Sequence, residues 1–536
     1  MLHRTPLAAA RLCGIALLLS CLVSLPALVR ETHAAPTAKQ APARPRSAPS
    51  TRTGLEALER HVKEFTLPNG LRFIVVERHQ APVFSFTTVV DAGSANDQTG
   101  TTGLAHMMEH MAFKGTPRIG TGDYAKEQPL LAAEDAAWLA LLDEQRKGAR
   151  ADSSQLKRLT TAFHAAEEAA RAVTVPNEFS KWVEQSGGLD MNASTSDDVT
   201  SYFYSMPSNR LELWALLEGS RMAHPVFREF YKERDVVYEE RRMNYESSPF
   251  GRLLLEFTNA AFTAHPYGFG GIGFPSDLKT FSRAQGEAFF RQHYVAKNMV
   301  ISLVGDVTLE EVKRYAAQYF GDISSAPRPP PLDTVEPEQR AERRVTLEDA
   351  GQPLIMIGWH IPAASDPRFA AFEALGDLLA GGDYARLTKT LIKEQRIATR
   401  VDVEPGFPGD KYPGLMVLFV VPAAGQDPAK VEQAVYAALD SVRQHPFTPE
   451  ELAGYKVRVK SSKIDAVEAN SSLATELADA QTLQGDWREF FREQERILGL
   501  KVADLMGAMN SAFVKRNRTV GVLLNRDAQA ALEGGK

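Results

Sequence analysis

The alternation of apolar and polar positions divides the chain into strand-like and helix-like stretches that recur in one order twice. Leu71 to Val76 and Phe84 to Val90 are rich in β-branched and aromatic residues and read as strands, with a helix expected from about Thr102. Further on, Arg344 to Leu347 and Leu354 to Ile361 read as strands, followed by a helix from about Pro367 to Leu379. Each half then mixes helices with more strands, Val300 to Val304 in the first and Leu415 to Val421 in the second. That order predicts an α+β fold of two homologous units, each a mixed sheet covered by helices on one face.

One stretch stands outside the duplication. From Tyr124 to about Val173 the apolar positions form two stripes at helical spacing, Leu130, Leu131, Trp138, Leu141 and Leu142, then Leu156, Leu159, Phe163 and Ala166. The polar segment Gly148 to Ser153 separates them. The pattern predicts a helical hairpin insertion within 124–175, packed on itself, with His164 on its surface.

Proline marks the boundaries. Pro36, Pro42, Pro45 and Pro49, interleaved with Ala, Ser, Thr and Arg, make 35–54 a linker that should not pack. Pro327, Pro329, Pro330 and Pro331, followed by a charged stretch, make 326–343 a second linker. An N-terminal unit, 55–325, and a C-terminal unit, 344–536, result.

Residues 1–34 read as a signal peptide: a basic start (Arg4, Arg11), an apolar run from Leu12 to Val29, and small residues before Ala35. The expected location is the periplasm or cell envelope. Leu18-Leu19-Ser20-Cys21 is similar to a lipoprotein box, but the chain stays apolar after Cys21 where a polar tether belongs, which disfavours lipid anchoring there. An uncleaved anchor is the other reading of this segment. No later apolar run is long enough to span a membrane.

Composition narrows the classes. The 536 residues carry a formal net charge of −6, which argues against a nucleic-acid-coating protein. The two cysteines, Cys13 and Cys21, both fall in the leader, so neither a disulfide framework nor a cysteine zinc cluster is available to the rest.

The segment His106-Met107-Met108-Glu109-His110 carries the chemistry. On a helix, His106 and His110 share one face a turn apart, which suits two ligands of a tetrahedral zinc site. Glu109 lies near enough to reach water at such a metal without ligating it, and so to accept the proton as water attacks a peptide carbonyl. The His-x-x-Glu-His order inverts the commoner zincin motif. With 12 histidines in the chain, it would arise by chance about 0.02 times. Its Gly-rich lead-in and the apolar Met107, Met111 and Phe113 place it on a partly buried helix, where two idle histidines would be costly.

A third ligand must come from elsewhere. Glu233 to Arg242 is the best segment: Glu233 and Glu240 are seven apart on one helical face, with Glu239 rotated by about 100° from Glu240. One could ligate the metal while another accepts a ring N–H from a ligand histidine. Spacing alone favours a solvated Glu/Arg helix.

These segments bring a resemblance into view. Leu67-Pro68-Asn69-Gly70-Leu71, Gly103 to Gly115, Gly188 to Thr195, Glu233 to Arg242, His265-Pro266-Tyr267-Gly268 and Gly381-Gly382 make the mature chain similar to the pitrilysin/insulinase family of zinc peptidases. It resembles bacterial homologues of the mitochondrial processing peptidase β-subunit in particular. The resemblance implies a clamshell-like chamber, one Zn²⁺ per chain on His106, His110 and Glu240, Glu109 as general base, and Glu233 as the carboxylate behind a ligand. It also implies that Asn192, Ala193, Ser194 and Thr195 form the edge strand that receives substrate backbone, with Asn192 meeting a peptide group near the scissile bond. Strand addition reads backbone more than side chains, so peptide substrates should be extended or unfolded.

Two departures stand out. His110 and Glu240 are 130 residues apart, about twice the family's usual gap, and the hairpin accounts for the excess. Family members that act alone carry an Arg and a Tyr seven apart in the C-terminal half; Leu391 to Ala398 has neither at the expected offsets, and Arg386 reads as structural. A homologous partner subunit supplying that pair, or a homodimer, is therefore expected. Phe269 to Gly273 reads as a flexible loop near the cleft, and His224, His265 and His293 as structural. The activity expected is a zinc-dependent endopeptidase. The alternatives are a non-catalytic assembly subunit of the same fold and a maturation protease for one specific peptide.

Overall fold

The computed structural model describes residues 51–526; the segment expected to be a leader, with both cysteines, most of the expected first linker and the last ten residues lie outside them. Residues 51–54, placed in that linker by sequence, begin a helix, Thr51–His61. Among the described residues, eleven strands form two sheets. The first contains β1 (Lys63–Thr66), β2 (Arg72–Glu77), β3 (Val83–Val90), β4 (Leu189–Thr195), β5 (Thr200–Pro207) and β6 (Met299–Gly305), in spatial order β1-β2-β6-β3-β5-β4. The second contains β7 (Arg343–Asp349), β8 (Leu354–Ile361), β9 (Ala398–Phe407), β10 (Gly414–Pro422) and β11 (Arg518–Asn525), in order β7-β11-β8-β10-β9.

Leaving β1 aside, the sheets correspond strand for strand. β2 pairs parallel with β6 as β7 does with β11, and every other pairing is antiparallel. The duplication expected from the pattern is present as topology.

Seven helices matter for the site and its support: α1 (Leu104–Met111), α2 (Tyr124–Gln145), α3 (Ser153–Arg171), α4 (Phe230–Arg241), α5 (Pro249–Ala261), α6 (Phe369–Ala380) and α7 (Asn470–Leu483). Coverage of the sheets differs from expectation. Each sheet has helices on both faces, and the second face is covered by a helix from the other half. Leu473, Ala474, Leu477 and Ala478 of α7 pack on Ile74, Val76, Val89 and Val304 of the first sheet. In the reverse direction, α5 sets Leu253 and Phe257 against Met356, Leu415, Val417 and Leu523 of the second. Glycine makes room there: a Cβ on Gly358 would lie 2.7 Å from the Phe257 ring. The cause is legible in β2, where four consecutive residues are buried instead of every second one, the mark of a strand covered on both sides.

The second linker is strapped down. The Glu336 carboxylate accepts N–H bonds from Thr263 (2.9 Å), Ala264 (2.9 Å) and His265 (3.0 Å). The hairpin also departs from expectation. α2 and α3 pack on each other, but Trp138, Leu141, Leu142 and Phe163 belong to the same buried cluster as Phe84, Met107 and Tyr231. The insertion is fused to the first core. Among the described residues no helix is long and apolar enough to cross a membrane.

Candidate metal centre

Helix α1 starts abruptly because Gly103 adopts φ +98°, and a Cβ there would lie 2.7 Å from the Ile272 carbonyl oxygen. Two acids, invisible as a motif, fasten this start. Asp97 accepts from the N–H groups of Gly103 (2.7 Å) and Ala105 (3.0 Å), and Asp277 from the Thr102 N–H (3.1 Å) and hydroxyl (2.7 Å). Negative charge at a helix N-terminus is favourable, yet burial pushes the Asp97 carboxyl up to about 7 against the pull of its two N–H donors. The 269–273 loop is part of this arrangement: Ile272 is buried, and Gly273 O accepts from Arg241 Nε at 2.6 Å. The flexible loop read from its glycines is packed.

Leu104, Ala105, Met107, Met108 and Met111 bury the inner face of α1. His106, Glu109 and His110, at i, i+3 and i+4, are left together on a half-buried face. Helix α4 runs alongside and brings Glu240 to the histidines. His106 Nε2 and His110 Nε2 are 3.2 Å apart, and Glu240 Oε2 lies 3.4 Å from the first and 3.6 Å from the second. Zn–N and Zn–O bonds of about 2.0–2.1 Å at tetrahedral angles separate donor atoms by about 3.3–3.4 Å. The observed triangle has that size, and His106, His110 and Glu240 are the one such group of potential ligands among the described residues. The residues present therefore fit a tetrahedral divalent ion.

The other predicted residues fall around this triangle. Glu233, two turns before Glu240 on α4, places Oε2 3.3 Å from His110 Nδ1. Its other oxygen accepts from Lys114 Nζ at 2.5 Å, and Lys114 also reaches Glu229 at 3.1 Å. Lys114, four residues after His110, was not read as part of the site; only this pairing marks it. Glu239 points away and pairs with Arg242 at 2.8 Å. Glu109 makes no side-chain hydrogen bond among the described residues.

The charges reinforce one another. Burial pushes the His110 imidazole down, but the hydrogen bonds to Glu233 and Glu240 and the nearby Glu109 charge outweigh it and raise the group to about 9. Burial likewise opposes ionisation of Glu233, yet His110 and Lys114 pull it down to about 2. Hydrogen bonds from His106 and His110 hold Glu240 far below the usual carboxylate range.

Asn192 to Thr195 lie in β4, which among the described residues pairs only with β5 and so leaves one edge of the first sheet open. The Ser196 N–H bonds to Val199 O at 2.9 Å. By antiparallel alternation Ser194 and Asn192 then face β5, and Ala193 and Thr195 present their backbone groups at the open edge. The Ala193 N–H is occupied by its neighbour, the Asn192 side-chain oxygen, at 2.9 Å.

Comparison with known proteins bears on the family and the fold. Residues 72–137 match the family described as insulinase, peptidase family M16, and residues 280–458 match the peptidase M16 inactive domain. The chain belongs to the M16 peptidase family. The zinc protease PqqE of Helicobacter pylori is 28% identical over 461 residues, covering 84% of this chain and 89% of that one. The crystal structure of a protease from Helicobacter pylori superposes with a TM-score of 0.72 at 25% identity, over 86% of this M16 chain and 99% of that one. The periplasmic protease PqqL of Escherichia coli shares the fold (TM-score 0.65, 17% identity), but 88% of this chain corresponds to only 48% of PqqL.

The other histidines singled out by sequence do not join the donor triangle. His265 and His293 are buried, and His224 is exposed beside Asp322. His164 is exposed beside Glu167. Arg386 is a structural ion pair, 2.7 and 2.8 Å from the two oxygens of Glu451. In the second half, α6 stands where α1 stands in the first and is built of buried apolar residues without a metal motif.

Proposed function

We propose that this M16 protein is a zinc-dependent endopeptidase acting on extended or unfolded peptides, with zinc held by His106, His110 and Glu240. The reading rests on one observation above all: a donor triangle of tetrahedral size with an uncommitted carboxylate, Glu109, on the same helical face. Zinc bound there supplies Lewis acidity to a peptide carbonyl and to water. Glu109 then accepts the proton of the attacking water and returns it to the departing amine. Glu233 receives the Nδ1–H of His110, which turns Nε2 toward the metal, and Lys114 keeps Glu233 ionised. The open edge of β4 receives the substrate as an added strand, through the Ala193 carbonyl and the backbone of Thr195.

The chain spans about half of PqqL, and Leu391 to Ala398 offers no Arg/Tyr pair. Both support a chamber completed by a homologous second chain, or by a second copy, which supplies those groups. The apolar leader supports action outside the cytoplasm.

The test is cleavage of an unstructured reporter peptide by wild type and Glu109→Gln, each with and without a homologous partner. Glu109→Gln should keep its zinc and lose about 10²–10⁴-fold in rate. Wild-type turnover in the Gln variant would overturn the mechanism, and an inert wild type in both settings would favour the assembly-subunit alternative.

A further inference from the structure

We propose that the α2–α3 hairpin is the positioning element of the metal centre, setting α4 and the segment after α1 so that Glu233 and Glu240 meet the two histidines. The proposal rests on the reading of His106, His110 and Glu240 as the zinc site. Helix α4 carries two stripes. One, with Glu229, Glu233 and Glu240, turns toward Lys114 and the histidines. The other, Tyr231 and Arg234 with Val226 and Arg228 just ahead, is held by the insertion.

The contacts are specific and largely buried. Glu127 of α2 pairs with Arg228 through both oxygens, at 2.5 and 3.0 Å, and neither side chain is more than 2% exposed. The same guanidinium donates to the carbonyls of Lys114 (3.0 Å), Ile119 (3.0 Å) and Thr116 (2.7 Å). It thus joins the hairpin, the turn leaving α1 and the start of α4. Asp135 accepts from the Tyr231 hydroxyl at 2.7 Å. The Arg234 guanidinium lies 4.0 Å above the Trp138 ring, a stacking geometry suited to a desolvated cation. Leu131 and Ala170 pack on Val226.

The hairpin also holds Arg283, through Glu134 and Asp135, but the contacts above fall within two turns of Glu233 and on the segment four to nine residues beyond His110, which packing for stability alone would not require. They form one chain of neighbours: Glu127 holds Arg228, Arg228 holds the Lys114 backbone, the Lys114 ammonium holds Glu233, and Glu233 orients His110. The long interval between the His pair and Glu240 thereby has a use, since the inserted residues brace the two segments they separate.

The test is zinc affinity by chelator competition on the full chain, with thermal melting alongside. Glu127→Gln keeps the shape of the side chain but removes the charge facing Arg228, and Tyr231→Phe removes a single tether while its ring stays packed. Partners directly behind metal ligands typically cost about 10–100-fold in affinity; Glu127→Gln, further back in the chain of contacts, should lose about 10-fold and Tyr231→Phe about 3-fold. Leu439→Ala, in the distant core of the second sheet, should lower the melting temperature and leave affinity unchanged. Parental affinity in whichever of Glu127→Gln and Tyr231→Phe folds would overturn the proposal. A parent chain that binds zinc no better than Glu240→Ala would instead sink the metal-site reading beneath it.

Discussion

Glu233 Oε2 lies 3.3 Å from Nδ1 of His110, leaving Nε2 of the same ring to face His106 and Glu240. A carboxylate behind a ligand histidine fixes its tautomer and raises its basicity. Glu233→Gln should bind zinc about 10–100-fold more weakly than wild type, while Lys114→Met should reproduce part of that loss. Competition with a coloured chelator measures both.

Chelator-treated protein should show the charge coupling as a pH dependence of stability. His110 in the folded chain is raised from 6.5 to about 9, so its stabilisation is present below pH 6.5 and is lost as pH rises toward 9. Glu233 is lowered from 4.5 to about 2, so its contribution is present above 4.5 and is lost on acidification toward 2. This cluster therefore favours the folded metal-free chain most between pH 4.5 and 6.5. Denaturant melts should weaken by roughly 1–2 kcal/mol between pH 6 and 9, and Glu233→Gln should flatten that slope.

The exchange of α5 and α7 couples the halves. Leu477→Ala, at a fully buried position of α7, should cost about 2–5 kcal/mol. Its signature is in hydrogen exchange: amides of β3 and β6, far upstream in sequence, should lose protection along with α7. Loss confined to the second sheet would contradict the packing.

Thr195 offers an outward backbone N–H at the open edge of β4. Proline is tolerated at such positions, so Thr195→Pro should leave zinc content unchanged. If the edge receives substrate, KM should rise about 10-fold for loss of one hydrogen bond.

Much of this was legible in the sequence because local chemistry fixed it. The spacing of His106 and His110 places both on one face of any helix, and the strand runs recur with the same connectivity. Glu240 was reachable only as one of several acids on α4, since no local rule says which helix will lie beside α1. The exchanged helices were hidden for the same reason: continuous burial in β2 announces a second cover without naming its source. Lys114, Asp97 and Asp277 act through contacts made only after folding, with partners 119, 6 and 175 residues away. The hairpin read correctly as two helices, but its attachment depends on two charges, Glu127 and Arg228, 101 residues apart, whose pairing no local pattern marks.

The central claim is that two imidazoles and the Glu240 carboxylate grip one metal ion while Glu109 does not. Zinc per chain, measured after dialysis against a weak chelator in wild type, Glu109→Gln and Glu240→Ala, tests it most directly. The expected result is one zinc in the first two and little in the third. Equal zinc retention by Glu240→Ala, or loss of zinc from Glu109→Gln, would contradict the account.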